Sequence, residues 1–169
     1  MQTSQAIELL KRLIATPSIS RDEAKAADIV EEELRGLGFA PQRKLNNVWA
    51  MALEYDAQKP TILLDAHLDT VKPNAQRTRD PFQPVVEDGK LYGLGSNDTG
   101  GSLVALLAAF VRLSKSEQPY NLIFLASAEE EVTGVNGVRA VLPELGKIDF
   151  AIVGEPTSLQ PAVAEKGLM

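Results

Sequence analysis

Cysteine is absent from the 169 residues of the chain, and histidine occurs once, at His67. Without cysteine there is no disulfide framework and no thiolate to bind a metal or attack a substrate. Any metal ion must be held by His, Asp or Glu. Long apolar runs are also lacking: Leu103 to Val111 is among the longest, far short of a bilayer span. The first twenty residues do not form a signal peptide, because Glu8, Lys11 and Arg12 interrupt what would be its apolar centre. Positive charge is in deficit, with a net charge of −6, which speaks against nucleic acid or an anionic membrane as partner. These absences lead us to expect a soluble, cytoplasmic protein. There is no internal repeat, low-complexity tract or linker.

What is present is ordinary for one globular domain: 44% apolar and 24% charged residues, in a chain long enough for a core. Ile7, Leu10 and Ile14 at helical spacing predict a helix over Ser4–Ala15, ended by Thr16-Pro17. A second amphipathic helix is predicted over Asp22–Leu37, with Ala26, Ile29, Val30, Leu34 and Leu37 inward, closed by Gly36 and Gly38. Strands are predicted at Asn47–Leu53, Pro60–Ala66, Asn121–Ser127 and Phe150–Val153, and a hairpin over Val85–Tyr92 turning on Asp88-Gly89. Helices are predicted at Gly101–Leu113 and Asn136–Leu142. Strands alternating with helices predict an α/β fold: a mostly parallel, mixed central sheet flanked by helices.

Four segments share one design, in which an apolar or hairpin strand ends and a metal-competent residue follows. Ile62-Leu63-Leu64 leads to His67 and Asp69, and Leu91-Tyr92 leads to Asp98. Ile123-Phe124-Leu125 leads to Glu129, Glu130 and Glu131, and Ala151-Ile152-Val153 leads to Glu155. In open α/β sheets, ligands bind at the carboxyl ends of strands. Carboxylates converging there repel one another, and a divalent cation removes the repulsion. One imidazole with several carboxylates suits zinc, cobalt or manganese. Each element has a plainer reading: a structural histidine, Asp98 as a helix N-cap, a solvated acidic loop, a strand exit at Glu155. Gly93-x-Gly95 fits no phosphate loop, since Asp98 stands where a third glycine would. His67 and Asp69 share a face of an extended segment, so Asp69 can accept from the imidazole and fix its tautomer.

The stretches HLDTVKP (67–73), YGLGSNDTGG (92–101), ASAEEEVTG (126–134) and VGEPT (153–157) resemble, in order, the motifs of the acetylornithine deacetylase, succinyl-diaminopimelate desuccinylase and aminoacylase family. DTVKPN with TRDPF, GLGSNDTGG and AVAEKGLM look most like its acetylornithine deacetylase branch. The resemblance implies a zinc-peptidase-like catalytic domain with two divalent metal ions, zinc or cobalt. It implies His67 and Glu155 on the first ion, Asp98 bridging both, Glu131 on the second, and Asp69 as partner of His67. Val132-Thr133-Gly134 sets a register in which Glu130 is the general base and Glu129 a flank of little consequence.

The implied reaction is hydrolysis of the amide of an N-acyl amino acid, N-acetylornithine or N-succinylornithine in arginine biosynthesis. Succinyl-diaminopimelate desuccinylase, aminoacylase and di- or tripeptidase chemistry are the alternatives within the family. A non-catalytic interaction domain or inactive fragment is the alternative outside it. The family has a further histidine ligand after an inserted lid. The expectation is therefore that 1–169 is the N-terminal part of the catalytic domain, without the lid that makes the homodimer and without the domain's C-terminal part. Alone it should hold the first ion, hold the second weakly and hydrolyse poorly.

Overall fold

A computed structural model describes residues 1–52 and 55–162. The predicted end of one strand at Leu53, and the stretch from Val163 to Met169, lie outside the described residues. Two helices open the chain, α1 (Thr3–Ile14) and α2 (Ala24–Gly36). Five strands form the main sheet: β1 (Gln42–Lys44), β2 (Asn47–Met51), β3 (Thr61–His67), β6 (Asn121–Ser127) and β7 (Phe150–Val153), in the order β1-β2-β6-β3-β7. Strands β3, β6 and β7 run parallel, while β2 is antiparallel to β6 and to β1. The sheet is thus mixed with a parallel centre, as expected. A separate hairpin pairs β4 (Val85–Glu87) with β5 (Lys90–Tyr92). Helices α3 (Gly101–Leu113) and α4 (Val138–Leu145) complete the fold.

Strand β6 is buried along its whole length because it divides its side chains between two cores. Leu122, Phe124 and Ala126 join Leu9, Leu10, Val30, Leu34, Leu107 and Phe110 beneath α1, α2 and α3. Ile123 and Leu125 point the other way, to Trp49, Leu63, Val141 and Leu145 beneath α4. This two-sided burial explains the continuous apolar runs of β3 and β6.

Three expectations are corrected. Ile7 is exposed, and the inward face of α1 is Ala6, Leu9, Leu10 and Ile14. Helix α4 begins two residues later than predicted and runs through Pro143 to Leu145. Val141 and Leu145, four residues apart, both reach the second core, and their burial outweighs the helix cost of proline. Strand β1 has no sequence signature, being three polar residues paired at the sheet margin. At the other margin, β7 carries exposed Phe150, Ile152 and Val153.

The register fixes the rim. His67 ends β3 opposite Ser127 at the end of β6, and Asp65 lies opposite Val153 at the end of β7. The segments bearing Glu129–Glu131 and Glu155 therefore leave the sheet on the same side as His67.

Candidate metal centre

His67 is buried, with its side chain 1% exposed. Its Nδ1 lies 2.9 Å from the backbone carbonyl of Asp69 and 3.5 Å from the Asp69 carboxylate. The main-chain carbonyl is the nearer contact and the carboxylate the longer one, so Asp69 orients the imidazole through both groups. A proton on Nδ1 leaves Nε2 directed at the rim, 3.1 Å from Asp98 Oδ1 and 3.8 Å from Glu130 Oε2.

The fully buried Asp69 carboxylate serves a further purpose. It accepts from Ser20 Oγ at 2.7 Å, from Glu130 N–H at 3.0 Å and from Glu131 N–H at 3.1 Å. Burial alone would push its pKa up, but the His67 ring beside it and these donors hold it below the ordinary carboxylate range. Asp69 thus joins β3 to the acidic turn. Ser20 belongs to a segment running beside Leu68–Thr70, tied by Ser18 Oγ to Leu68 O at 3.0 Å and Thr70 N–H to Ser18 O at 2.9 Å. Sequence reasoning read this segment only as the end of a helix.

Asp98 sits in a wide turn, Ser96–Gly100, that precedes α3. It does not cap that helix, whose N-cap is Gly100. The turn is entered through Gly95 in the left-handed region at φ 74°, which suits glycine. It is pinned to the β7 exit by Thr99 Oγ1, which donates to Gly154 O at 2.6 Å. Gly154 N–H in turn donates to Asp65 O at 2.8 Å. Asp98 and Glu155 are therefore positioned together.

One ligand atom each from His67, Asp98 and Glu131 lie within 4.8 Å of one another. Glu155 stands outside that group of three, yet close enough for His67, Glu130 and Asp98 to act on its charge. Burial and neighbouring carboxylates raise the pKa of both Glu131 and Glu155, against the pull of His67. Burial opposes the charged form of His67, but Asp69 and Glu155 outweigh it and bring its pKa to about 9. Acids pushed up and a base pushed up, at one rim, are what an excess of negative charge without a compensating cation produces. The donor set of one imidazole and several carboxylates fits a divalent ion of the zinc type.

Replacing Asp69 by alanine removes the acceptor from two backbone N–H groups and a buried negative charge from beside a buried imidazole. The expected result is a divalent-ion affinity weaker by at least about tenfold, with a lower urea midpoint, measured by chelator competition and chemical denaturation.

Glu129 departs from its expected role as a flank. It is only 6% exposed, and its carboxylate accepts from Asn136 Nδ2 at 2.9 Å and Asn136 N–H at 3.4 Å. A Cβ on Gly134 would run into this carboxylate, which is why glycine follows Val132-Thr133. The most buried of the three glutamates is thus the one the sequence marked as dispensable. Its backbone N–H is held by Glu23, 106 residues earlier in the chain. Asn47, also buried, accepts from Ala128 N–H at 3.0 Å and donates to Asn136 O at 2.7 Å. None of Ser20, Glu23, Asn47 and Asn136 has a local motif that would single it out.

Asp65 is a further buried carboxylate, two residues before His67. Its Oδ1 has no hydrogen-bond partner among the described residues, and burial raises its pKa to about 6. An acid raised in the folded state costs stability once ionised. The cost is absent below its unfolded pKa near 4 and complete above about 6. Asp65→Asn in the metal-free protein should therefore be stabilising on the order of 2 kcal/mol at pH 7.5 and neutral at pH 3.5, by urea unfolding at the two pH values.

Comparison with known proteins agrees with this geometry. The profile of Peptidase family M20/M25/M40 matches residues 63–166. The chain is 37% identical to a succinyl-diaminopimelate desuccinylase of Alkalilimnicola ehrlichii, over 93% of this chain and 44% of that protein. It is also 37% identical to an acetylornithine deacetylase of Proteus mirabilis, over 95% of this chain and 45% of that protein. The chain spans less than half the length of these curated relatives. Among solved structures, an M20 family metallo-carboxypeptidase of Sulfolobus solfataricus superposes with a TM-score of 0.73 at 26% identity, covering 91% of this chain and 37% of that one. Human carnosine dipeptidase 1, at 24% identity and a TM-score of 0.68, shares the fold.

Proposed function

The chain belongs to peptidase family M20/M25/M40, and from that membership we propose that it carries half of a metal-dependent amidohydrolase site acting on N-acyl amino acids. The observation that carries the reading is the convergence of His67, Asp98 and Glu131 at the ends of β3 and β6 and on the turn before α3. Residues 1–169 are, on this reading, the N-terminal part of the catalytic domain. His67, Asp98 and Glu155 would hold one divalent ion, and Asp98 with Glu131 would share a second. When bound, such ions supply positive charge that polarises an amide carbonyl and acidifies a nearby water.

The protein's own part is proton handling and order. Glu130 has a side chain 55% exposed at the rim, close to His67 Nε2 and accepting no hydrogen bond from the described residues. It takes the proton of the attacking water and delivers it to the amine nitrogen as the C–N bond breaks. Asp69 holds the Glu130 amide, so that this carboxylate stays at one place while its tip remains free. The products are a carboxylate and a free amine.

Deacylation of N-acetylornithine or N-succinylornithine is one substrate reading, from the motif resemblance. Desuccinylation of succinyl-diaminopimelate stands level with it, since relatives of both names are 37% identical. The test is an assay of zinc- and cobalt-loaded protein, in a polypeptide of its relatives' length, on N-acetylornithine, N-succinylornithine and N-succinyl-diaminopimelate. Amine release from an ornithine derivative supports the deacylase reading. Turnover of the diaminopimelate derivative alone replaces it, and no turnover of any of the three sinks both the deacylase and the desuccinylase readings.

A further inference from the structure

Glu23 is fully buried, at 0% exposure, yet it faces no cation among its hydrogen-bond partners. Its Oε1 accepts from Arg21 N–H at 2.6 Å and from Glu129 N–H at 3.2 Å, and its Oε2 accepts from Asn46 Nδ2 at 2.8 Å. A buried carboxylate is costly unless its lone pairs are met, so this set of donors is a specific fit. The plain role for an acid at this position is to cap its own helix. Glu23 is indeed the N-cap residue of α2, but its side chain makes no capping bond to that helix. The carboxylate turns away toward the strand end that carries the acidic turn.

That turn needs holding. Glu129 adopts φ 56°, ψ 25°, and Thr133 φ 48°, ψ 45°, a left-handed conformation that side-chain-bearing residues adopt at a cost. Three successive amides fix it: Glu129 N–H on Glu23, then Glu130 and Glu131 N–H on Asp69. Two buried carboxylates from distant parts of the chain thus clamp consecutive peptide groups of one strained turn. Asp69 alone would leave the Glu129 N–H, at the left-handed entry to the turn, without its partner.

We propose that Glu23 is a positioning residue, which sets the direction of Glu130 and Glu131 by holding the Glu129 backbone. The proposal rests on the roles given above to those two glutamates, but its first test needs neither metal nor substrate. In metal-free protein, hydrogen exchange of the Glu129, Glu130 and Glu131 amides should be at least about tenfold faster in Glu23→Ala, with Phe124 and Leu125 of β6 unchanged. Glu23→Gln should return them to the wild-type rate. Its amide oxygen still accepts from Glu129, and Asn46, turned over, accepts from its NH₂. In the second test, Co²⁺ affinity should fall at least about tenfold in Glu23→Ala, yet Glu23→Ala should add nothing in a Glu131→Ala background.

Unchanged exchange of the three amides would overturn the proposal. So would acceleration spread equally over β6, which is the signature of a stability role alone, or an equal loss of Co²⁺ affinity in both backgrounds. If Glu23→Ala does not fold, Glu23→Asp retains the charge, withdraws it by one methylene from Glu129, and is read by the same exchange criterion.

Discussion

In a polypeptide of its relatives' length, and on the proposed function, Glu130→Gln is expected to lower kcat for amide hydrolysis by about 10²–10⁴-fold while the metal content is unchanged. The physical case rests on how differently the structure treats neighbouring glutamates. Glu131 belongs to the tight group with His67 and Asp98, and Glu129 is locked onto Asn136. Glu130 belongs to neither: its backbone is fixed by Asp69, but its carboxylate is half-exposed and lies 3.8 Å from His67 Nε2. A group that must pick up a proton at one atom and release it at another needs a fixed root and a free tip. Glutamine preserves the shape and removes the basicity, so the substitution isolates proton transfer. Glu131→Ala should give the opposite pattern, losing metal first. Turnover together with metal analysis on both variants checks the pair. If Glu130→Gln sheds metal as readily as Glu131→Ala, Glu130 is a ligand and the proton-carrier role is wrong. If activity survives with metal retained, no base is needed at this position.

The difference between these glutamates was only partly visible in the sequence. Strand ends were legible, because β3 and β6 are buried on both faces and their apolar runs stop where burial stops. That was enough to bring His67, the acidic run and Glu155 to one rim, whereas Asp98 arrives from a separate hairpin, through the turn before α3. The order of burial within Ala128-Glu129-Glu130-Glu131 was not legible. It depends on Gly134 leaving room for the Glu129 carboxylate and on Asn136 reaching back, and three adjacent acids carry no period that reveals this. Long-range partners were equally hidden. Glu23 meets Glu129, Ser20 meets Asp69 and Asn47 meets Ala128 across tens of residues, through hydrogen bonds that depend on tertiary placement. The role of Asp69 was half legible: spacing put it beside His67, but its carboxylate spends its hydrogen bonds on the amides of Glu130 and Glu131. At helix α4 the sequence end at Leu142 failed because packing of Leu145 mattered more than the local cost of Pro143.

The same crowding of charge predicts a steep pH dependence for metal capture, and a different pH dependence for stability with and without metal. With its pKa near 9, His67 is an imidazolium in the metal-free protein at neutral pH, with Nδ1–H on Asp69 O and Nε2–H on Asp98. A cation can take Nε2 only by displacing that proton. Apparent affinity should therefore fall about tenfold per pH unit below 9, or roughly a hundredfold from pH 8 to pH 6. Protonation of Glu131 and Glu155, whose pKa values are raised by burial and by neighbouring carboxylates, acts in the same direction. Chelator competition across pH 6–9 measures the slope, and an affinity flat across that range would mean that His67 is neutral or is not a ligand. For the metal-free protein the linkage runs the other way. A base whose folded pKa is raised contributes stability in full below its unfolded value near 6.5, and that contribution is lost as pH climbs through about 9. Metal-free protein should thus lose Tm between pH 6.5 and 9 from this group. In metal-loaded protein His67 is neutral, as it is in the unfolded chain above about 6.5, so from this group Tm should stay level over the same interval. Two Tm curves that lie close at pH 6 and separate as pH rises, on thermal scans with and without chelator, are the expected signature, and parallel curves would place the pH-sensitive group somewhere other than His67.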